Sequence, residues 1–231
     1  ILSSSKEIKN HYAKWNETVI NDSLIFQYYY RNLLLPYVSK SECFLEIGAG
    51  SGNLANLLTY EYLPKNYVIV DLPETIVNSY SFLIKTFPNF KYFLPNKINK
   101  EKDLQNIFSL KAEGITKFIF LTPWQINFVP NNIFDLSINV ASFQEMEGSE
   151  IKRYFKFIQK TTKHRGLFFC ENRLEKIPYS DSLKELTSPN RFYEYPWHNS
   201  NNRIIDQINE LKQLTSFNHT GIRLERVIKN R

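Results

Sequence analysis

Three glycines at alternate positions, Gly48, Gly50 and Gly52, directly follow the short apolar run CFLEI at residues 43–47. The chain of 231 residues has only 7 glycines, so three within five positions need a local reason. Without Cβ atoms, such a turn lets the backbone approach a ligand closely and leaves the N–H groups of a following helix free for a carboxylate or phosphate. A tight strand-to-helix turn that binds nothing is the alternative, and three glycines argue against it.

The spacing of these glycines, G-x-G-x-G, differs from the common nucleotide-binding motifs. The dinucleotide fingerprint G-x-G-x-x-G places its third glycine one position later, where this chain has Asn53. A P-loop would continue with Gly-Lys-Ser or Gly-Lys-Thr, and this sequence does not. The spacing therefore argues against NAD, FAD and a P-loop nucleotide.

Two acidic residues end predicted strands beside the glycine turn. Glu46 precedes the turn, and Asp71 ends the predicted strand YVIVD, 19 residues beyond Gly52 (71 minus 52). An acidic side chain at the tip of the neighbouring strand can accept both hydroxyls of a ribose. Asp71 can also form a capping box with Glu74, with Pro73 in the first helical position, and the two roles are compatible.

The pattern E-x-G-x-G-x-G followed by a strand that ends in Asp resembles the S-adenosylmethionine-dependent methyltransferases of the Rossmann-like class. The blocks EIGAGSGNLANLL, YVIVDLPETI, FDLSINVASFQEM and ENR, within residues 43–173, are similar to the sugar O-methyltransferase family, and RFYEYPW is a further similar block. The resemblance implies transfer of a methyl group from S-adenosyl-L-methionine to a sugar hydroxyl, in a nucleotide-linked sugar or a surface glycan.

The resemblance also implies which residues hold the cofactor. The glycines would line its methionine part, Asp71 would hold the ribose, and Leu72 would pack beside the adenine. Gln125, in the block TPWQ, is the candidate for the adenine amino group, with Trp124 as an apolar wall. The complete predicted cofactor set is Glu46, Gly48, Gly50, Gly52, Asp71, Leu72, Gln125 and Asn139.

Methyl transfer to a hydroxyl requires alignment of the acceptor oxygen and a group that takes its proton. The candidates are Glu145, in the loop after the fourth predicted strand, and His198, whose neutral imidazole can accept a proton near physiological pH. An equally weighted interpretation makes Glu145 a carboxylate that stabilises the dipole of the next helix.

The substrate candidates come from two segments. The block ENR ends the fifth predicted strand with two acceptors and a forked donor, which suit hydroxyl and phosphate groups. The segment NRFYEYPWHN, residues 190–199, is interpreted as a substrate lid whose rings stack on sugar faces, or else as a loop anchored to the core by its rings. The predicted substrate-binding residues are Glu171, Asn172, Arg173, Tyr193 and Trp197.

Other features of the sequence indicate which metals, compartments and membranes to expect. No cluster has convincing metal-ligand spacing, although Glu145, Glu171 and Asp181 could converge on Mg²⁺, so we expect no metal. Cys43 and Cys170 lie in apolar runs, which predicts buried thiols and a reducing cytoplasm. No apolar run approaches the roughly 20 residues of a membrane span. The sequence does not predict the oligomeric state.

The formal charge of +6 and a pI near 9.1 suit an anionic partner, so an RNA or other nucleic-acid methyltransferase is a second hypothesis. However, the basic residues are spread out. Residues 139–142 read Asn-Val-Ala-Ser where amino-group methylases carry Asn/Asp-Pro-Pro-aromatic, so we do not expect nucleic acid as the substrate. A small-molecule O-methyltransferase with a non-sugar acceptor and a non-catalytic binding module are further alternatives.

Strands alternate with helices along the chain, which predicts an α/β fold, a doubly wound and mostly parallel sheet with N-terminal helices and an aromatic lid. We expect an N-terminal helical extension over residues 1–40 and a methyltransferase domain over 41–231. Within them, a helix is predicted over 21–37, an irregular or partly helical insertion over 88–115, and a helix over 203–214 before a closing strand.

Overall fold

The computed structural model describes residues 22–38, 43–177, 188–210 and 219–229. The helices are α1 (Asp22–Leu34), α2 (Asn53–Tyr62), α3 (Pro73–Thr86), α4 (Glu101–Ser109) and α5 (Gly148–Thr161). The strands are β1 (Cys43–Ile47), β2 (Asn66–Val70), β3 (Lys91–Phe93), β4 (Lys117–Leu121), β5 (Phe134–Val140), β6 (Thr162–Arg173), β7 (Glu175–Lys176), β8 (Asn190–Arg191), β9 (Asn202–Ile208) and β10 (Thr220–Arg226).

Eight strands form one sheet in the order β3-β4-β2-β1-β5-β6-β10-β9, and β7 pairs with β8 in a small second sheet. The six strands from β3 to β6 in that order are parallel, whereas β10 is antiparallel to both of its neighbours. Helices cross over between the parallel strands, as βαβ connections require. The predicted α/β fold class with a doubly wound, mostly parallel sheet is confirmed.

The central strands are buried on both faces, which is why they appear in the sequence as short continuous apolar runs. Every position of β1, β2 and β4 is buried. Alternate side chains point to opposite faces, so Phe44 and Tyr67 pack with α1, α2 and α3, and Leu45 and Val68 pack with α4 and α5. The carboxyl ends of β1, β2, β4, β5 and β6 consequently meet at one edge of a rigid sheet.

Helix α1 shares the core of the sheet. Phe26, Tyr30 and Leu34 are buried in the same apolar cluster as Phe44 of β1. Arg31 forms an ion pair with Glu61, near the end of α2. The helix predicted over 21–37 is confirmed from Asp22 to Leu34, two residues before Pro36, and residue 21 lies outside the described residues.

The structure differs from two of the predictions of secondary structure. The predicted helix over 203–214 is wrong in its described first part, because Asn202–Ile208 forms β9 and pairs with β10. Ile204, Ile205 and Ile208 have helical spacing, but pairing with an open sheet edge overrides that local preference. The insertion over 88–115 contains α4 as expected and also contributes β3 to the sheet edge.

Cys43 and Cys170 are both buried, as predicted, and they are not joined in a disulfide. They lie on β1 and β6, where small apolar side chains fit the packed interior of the sheet. Among the helices that the structure describes, none combines the length and the apolar character that a membrane span needs.

Candidate functional site

A cavity of about 730 Å³ opens at the carboxyl ends of β1, β2 and β5. Its volume lies in the range typical of small-molecule sites, roughly 300–1,000 Å³. Crevices at this edge are where open parallel sheets bind their ligands. The predicted site residues that line the cavity are Glu46, Gly48, Gly50, Asp71, Leu72 and Glu145.

The glycine turn joins β1 to α2 with positive φ at all three glycines. The Gly48 N–H donates to the carbonyl of Val70 at 2.9 Å, which ties the turn to β2. A Cβ at Gly48 would overlap with the side chain of Ser142, whereas a Cβ at Gly50 would meet no atom of the described residues within 4 Å. Gly48 therefore serves packing inside the protein, and Gly50 faces open space beside the cavity.

Asp71 connects the turn to the next strand. Its Oδ2 accepts the Gly50 N–H at 3.0 Å, and its Oδ1 accepts the Leu72 N–H at 2.8 Å. Burial raises the pKa of Asp71, and these two hydrogen bonds oppose that shift. The cap of α3 is Leu72, in extended conformation, so the predicted capping box centred on Asp71 is not formed. Its carboxylate is held at the cavity wall with further lone pairs to offer.

Glu46 is buried at the end of β1 and lines the same cavity. The Tyr67 hydroxyl donates to Glu46 Oε2 at 2.6 Å. Burial raises the pKa of Glu46 from about 4.5 to about 7; the hydrogen bond from Tyr67 opposes this shift, and the charge of Asp71 adds to it. A cationic ligand in the cavity would favour the ionised form of Glu46, because an opposite charge stabilises a carboxylate.

We expect Glu46→Gln to make the ligand-free protein more stable above pH 7. Well below pH 4.5 the Glu46 carboxyl is protonated in both the native and the unfolded protein, so its ionisation does not affect the difference in stability between parent and variant. Between about pH 4.5 and pH 7 this carboxyl ionises in the unfolded chain but not in the native protein, so the free energy of unfolding falls. Above about pH 7 it is ionised in both states, and the loss of stability stays constant. Urea denaturation at pH 3.5 and pH 8 should give a gain of roughly 3 kcal/mol for the variant at pH 8 only. An equal gain at both values would contradict the buried-acid interpretation.

Glu145 lies in the 3-10 turn Phe143–Glu145 that follows β5. Its partial burial would by itself raise its pKa, but hydrogen bonds from Lys176 and Gln144 and the charges of Lys176 and Arg173 outweigh burial and lower it. Glu145 is therefore an ionised carboxylate at neutral pH, held at the cavity by its ion pair with Lys176. The cap of α5 is Glu147, so Glu145 lies two residues before the cap and outside the helix.

Asn139 and Asn172 belong to a buried polar network behind the cavity. The Asn172 Nδ2 donates to Asn139 Oδ1 at 2.8 Å, and Asn172 Oδ1 accepts the Gln144 N–H at 3.0 Å. Asn139 Nδ2 donates to the carbonyl of Ile47 at 3.0 Å and to the hydroxyl of Ser142. These bonds join the ends of β1, β5 and β6, and both asparagines are fully buried. Their structure-supporting role was missed by the sequence analysis.

Gln125 is likewise engaged within the protein. Its Oε1 accepts the Thr122 N–H at 2.9 Å, and its Nε2 donates to the carbonyls of Pro95 and Ile98. Gln125 is buried and does not line the cavity in the described part of the chain, whereas its neighbour Trp124 does, 63% exposed. The adenine contact predicted for Gln125 would need these bonds to break.

The aromatic segment is attached to the core. Phe192 and Tyr195 are buried, and Trp197 lies 5.0 Å from the ring of Phe155, centroid to centroid. The Arg223 guanidinium lies over the Trp197 ring, 4.1 Å from its centroid. A Cβ at Gly221 would overlap with the Phe192 ring, so the sheet leaves room for this aromatic side chain. The anchored-loop interpretation describes this segment, and its predicted lid role has no support from this packing.

Two more of the predicted substrate residues, Tyr193 and Glu171, and the predicted base His198 are not among the described residues that line the cavity. Tyr193 is 49% exposed on the surface of the aromatic segment. His198 faces a second cavity of about 550 Å³, which Phe155, Phe168 and Lys156 also line. Glu171 is fully buried beside Tyr30 of α1. Burial first, and the charge of Glu171 second, raise the pKa of the Tyr30 hydroxyl.

Two further predicted residues support the cavity from its edge. The Arg173 N–H donates to Gln144 Oε1 at 2.8 Å, which holds the loop that carries Glu145. Gly52, the cap of α2, lies behind the turn, where a Cβ would come within 3.2 Å of Ser79 Cβ. Within the described residues, no group of three His, Cys, Asp or Glu side chains could hold a metal ion, and Asp181 lies outside them.

Several lining residues were not foreseen from the sequence. Gln27 reaches the cavity from α1, and Glu147, Glu150 and Tyr154 reach it from the start of α5. Glu150 is held by Arg153, whose Nη2 donates to it at 2.6 Å. These side chains come from helices far away in sequence, and only the packing of those helices on the sheet brings them together.

Comparison with known proteins identifies the fold. Neither a protein-family model nor a curated protein sequence matches the chain. Among solved structures, a proposed sarcosine dimethylglycine methyltransferase from Galdieria sulphuraria superimposes with a TM-score of 0.59 at 10% identity, over 95% of this chain and 97% of that one. An S-adenosylmethionine-dependent methyltransferase from Leishmania major gives 0.54 at 14% identity, over 87% and 71%.

A cyclopropane synthase from Mycobacterium tuberculosis is also similar, with a TM-score of 0.54 at 12% identity over 87% of this chain and 84% of that one. The chain therefore has the Rossmann-like fold of class I methyltransferases. At these identities the likeness extends to the fold and not to an acceptor. The names of these neighbours also differ in the molecules they act on, so they do not favour a sugar.

Proposed function

We propose that the protein is a methyltransferase that uses S-adenosyl-L-methionine. One observation carries the proposal: the positive-φ glycine turn, the carboxylate of Asp71 and the buried acid Glu46 line one cavity at the carboxyl ends of β1 and β2. The acidic wall suits a ligand with a sulfonium and an ammonium group, and Gly50 leaves space for its close approach.

The chain offers complementary groups for each part of this cofactor. The residue that caps the start of α2 is Gly52, which carries no side chain, so the first N–H groups of α2 can bind the methionine carboxylate. Asp71 would accept the ribose hydroxyls, and Leu72, Pro123 and Trp124 would form the apolar walls beside the adenine. When bound, S-adenosyl-L-methionine supplies an electrophilic methyl group.

For the acceptor we propose a hydroxyl of an uncharged, sugar-like molecule. The ionisable side chains of the described lining, apart from Tyr154, are all carboxylates: Glu46, Asp71, Glu145, Glu147 and Glu150. The neighbouring bases Lys176 and Arg153 are bound to two of them. Such a wall repels phosphate, which argues against nucleotide-linked sugars and nucleic acid as acceptors. Carboxylates and aromatic side chains suit the hydroxyls and faces of a free sugar.

Glu145 is the proposed base. Its ionised carboxylate can accept a hydrogen bond from the acceptor hydroxyl and take the proton as the oxygen attacks the methyl group. Lys176 holds the carboxylate in place, so Glu145 does not have to be ordered during the reaction. The bond that forms is from the acceptor oxygen to the methyl carbon, and the bond that breaks is from that carbon to sulfur.

A second candidate is methylation of a small amine. The same acidic lining would attract a cationic ammonium group, and Tyr154 and Trp124 would add aromatic faces that favour cations. Such an amine must lose a proton before it attacks, so its methylation would accelerate with rising pH.

The test has two stages. Calorimetric titration should detect binding of S-adenosylmethionine and S-adenosylhomocysteine, and no binding of NAD; the reverse pattern would refute the proposal. Production of S-adenosylhomocysteine is then measured with matched acceptors: a free sugar, the same sugar linked to a nucleoside diphosphate, and a small secondary amine. Activity confined to the nucleotide-linked sugar would contradict the proposed acceptor class.

We expect Asp71→Ala to weaken binding of S-adenosylhomocysteine by roughly 30- to 150-fold, because about 2–3 kcal/mol of charge-assisted bonding to the ribose is lost. Glu74→Ala, three residues further on and exposed, is the matched control and should bind as the parent does. Titration of both variants measures the effect, and thermal melting checks that both remain folded. Equal losses in both variants would mean that Asp71 acts only through overall charge.

We also propose that residues 1–40 form an N-terminal extension and residues 41–231 the catalytic domain. We propose the cytoplasm as the location of the protein. Helix α1 supports an active part for the extension, because it carries Gln27 to the cavity while its apolar face packs on the domain.

A further inference from the structure

Gln27 lines the cavity and carries a buried polar atom that lacks a partner among the described residues. Its Oε1 is inaccessible to solvent and has no hydrogen-bond partner among the described residues, although the side chain lines the cavity. A buried carbonyl oxygen without a partner costs about 1–3 kcal/mol, and native proteins rarely leave one in that state. The atom can only accept, so the missing partner is an N–H or O–H donor.

The packing of α1 indicates from which part of the cavity such a donor would approach Gln27. Arg31 pairs with Glu61 at the end of α2, and Gln27 lies one turn earlier in α1. Gln27 shares the cavity with Ser51 and Asn53, at the beginning of α2. Side chains of α1 and α2 share one apolar cluster, and Gln27 lines the same cavity as the residues that begin α2.

The first turn of α2 is the place where free backbone N–H groups would bind the carboxylate of an amino acid. In an amino acid the ammonium group is two bonds from the carboxylate carbon, so it lies beside this helix start. Ammonium is a donor only, which matches an acceptor that has no partner. Glu46, on the same cavity wall, gives this region a further negative charge.

We propose that Gln27 Oε1 accepts a hydrogen bond from the α-ammonium group of the cofactor, so that the N-terminal helix helps to bind its methionine end. This inference rests on the proposed function. Gln27 is a binding residue and takes no part in proton transfer. This role predicts that mutation of Gln27 weakens the binding of ligands that carry the amino-acid part and leaves the binding of ligands without it unchanged.

The experiment compares two ligands on three proteins. S-adenosylhomocysteine carries the ammonium group, and 5′-methylthioadenosine keeps the nucleoside but lacks the amino acid. Gln27→Leu, which keeps the size of the side chain without its acceptor, should bind S-adenosylhomocysteine about ten- to a hundredfold more weakly than the parent, as for a lost hydrogen bond to a charged group. It should bind 5′-methylthioadenosine as the parent does. Gln27→Glu, which restores an acceptor, should recover binding of S-adenosylhomocysteine.

The stability of the ligand-free proteins separates this role from a structural one. Because Gln27→Leu removes a carbonyl that has no partner, its melting temperature should equal or exceed that of the parent, and a fall would indicate a structural role and overturn the proposal. Equal weakening of both ligands would also overturn it. So would unchanged binding of both with a raised KM for the acceptor, which would place Gln27 against the substrate. If the parent itself fails to bind S-adenosylhomocysteine, the proposed function has failed, which is a different result.

Discussion

Glu145→Gln is expected to lower the rate of methyl transfer by roughly 10²–10⁴-fold, the usual contribution of a general base. The amide keeps the size and the hydrogen-bonding reach of the carboxylate but cannot take a proton. Glu145 lines the cavity after β5, and its carboxylate is held there by Lys176 and Gln144. Binding of S-adenosylhomocysteine should stay within about twofold of the parent, because the expected loss lies in the chemical step.

His198→Asn is the matched control for this experiment. His198 was the other base expected from the sequence, but its ring lies beside the second cavity, with its Nδ1 2.7 Å from the Ser200 hydroxyl. We therefore expect His198→Asn to turn over at the parent rate. A parent-like rate in Glu145→Gln together with a large loss in His198→Asn would reverse the assignment.

The pH dependence of the rate adds a second readout of Glu145. Lys176 lowers the pKa of this carboxylate, so Lys176→Met should raise that pKa and move the acid limb of the rate profile to higher pH. If Glu145 only orders the loop, the acid limb should not move. Initial rates of S-adenosylhomocysteine formation between pH 4 and pH 9 measure the shift.

The parts of the site that sequence could predict are those whose geometry is local. The turn of Gly48, Gly50 and Gly52 and the tip of β2 at Asp71 are each determined by a few consecutive residues. In a parallel sheet, successive strands end at the same edge, so these short motifs had to meet there. The central strands β1, β2, β4, β5 and β6 could be predicted from buried apolar runs, whereas β3 and β9, at the two edges of the sheet, could not.

The parts that could not be predicted depend on which buried groups find partners. Asn139, Asn172 and Gln125 were plausible ligand contacts by residue type, but their amides bond strand ends and loops to one another. The aromatic segment has rings suited to stacking on a sugar, yet Phe192 and Trp197 pack on the core and on Arg223. Residue type alone does not distinguish an internal partner from a ligand.

Gln27 is the opposite case, a proposed ligand contact that its residue type and sequence context did not indicate. In the sequence it is a polar residue between Phe26 and Tyr28 in a helix, with no motif around it. Only the packing of α1 on the domain brings this side chain to the cavity wall and leaves its carbonyl without a partner among the described residues. The absence of a partner among the described residues, and not the residue type, is the signal for a ligand contact.

Gly48→Ala is expected to lower the free energy of unfolding by roughly 2–5 kcal/mol. Gly48 has φ +73°, where a side chain costs about 1–2 kcal/mol. Its Cβ would also overlap with the side chain of Ser142, and overpacking of this kind costs about 1–3 kcal/mol. Ser142 has little freedom to move, because it bonds Asn139 and donates to the carbonyl of Ile47 at 3.2 Å.

Gly50→Ala separates the two contributions. Gly50 has φ +57°, so it carries the backbone cost, but its added methyl group would meet no described atom within 4 Å. We expect a loss of only about 1–2 kcal/mol. The double variant Gly48→Ala with Ser142→Gly should recover the steric part of the loss and retain the backbone part. Urea denaturation of all four proteins measures the differences, and equal losses in the two single variants would show that Ser142 does not limit this position. A Gly50 variant that folds but no longer binds S-adenosylhomocysteine would further indicate that this glycine serves the ligand, since its methyl group could then clash only with the molecule in the cavity.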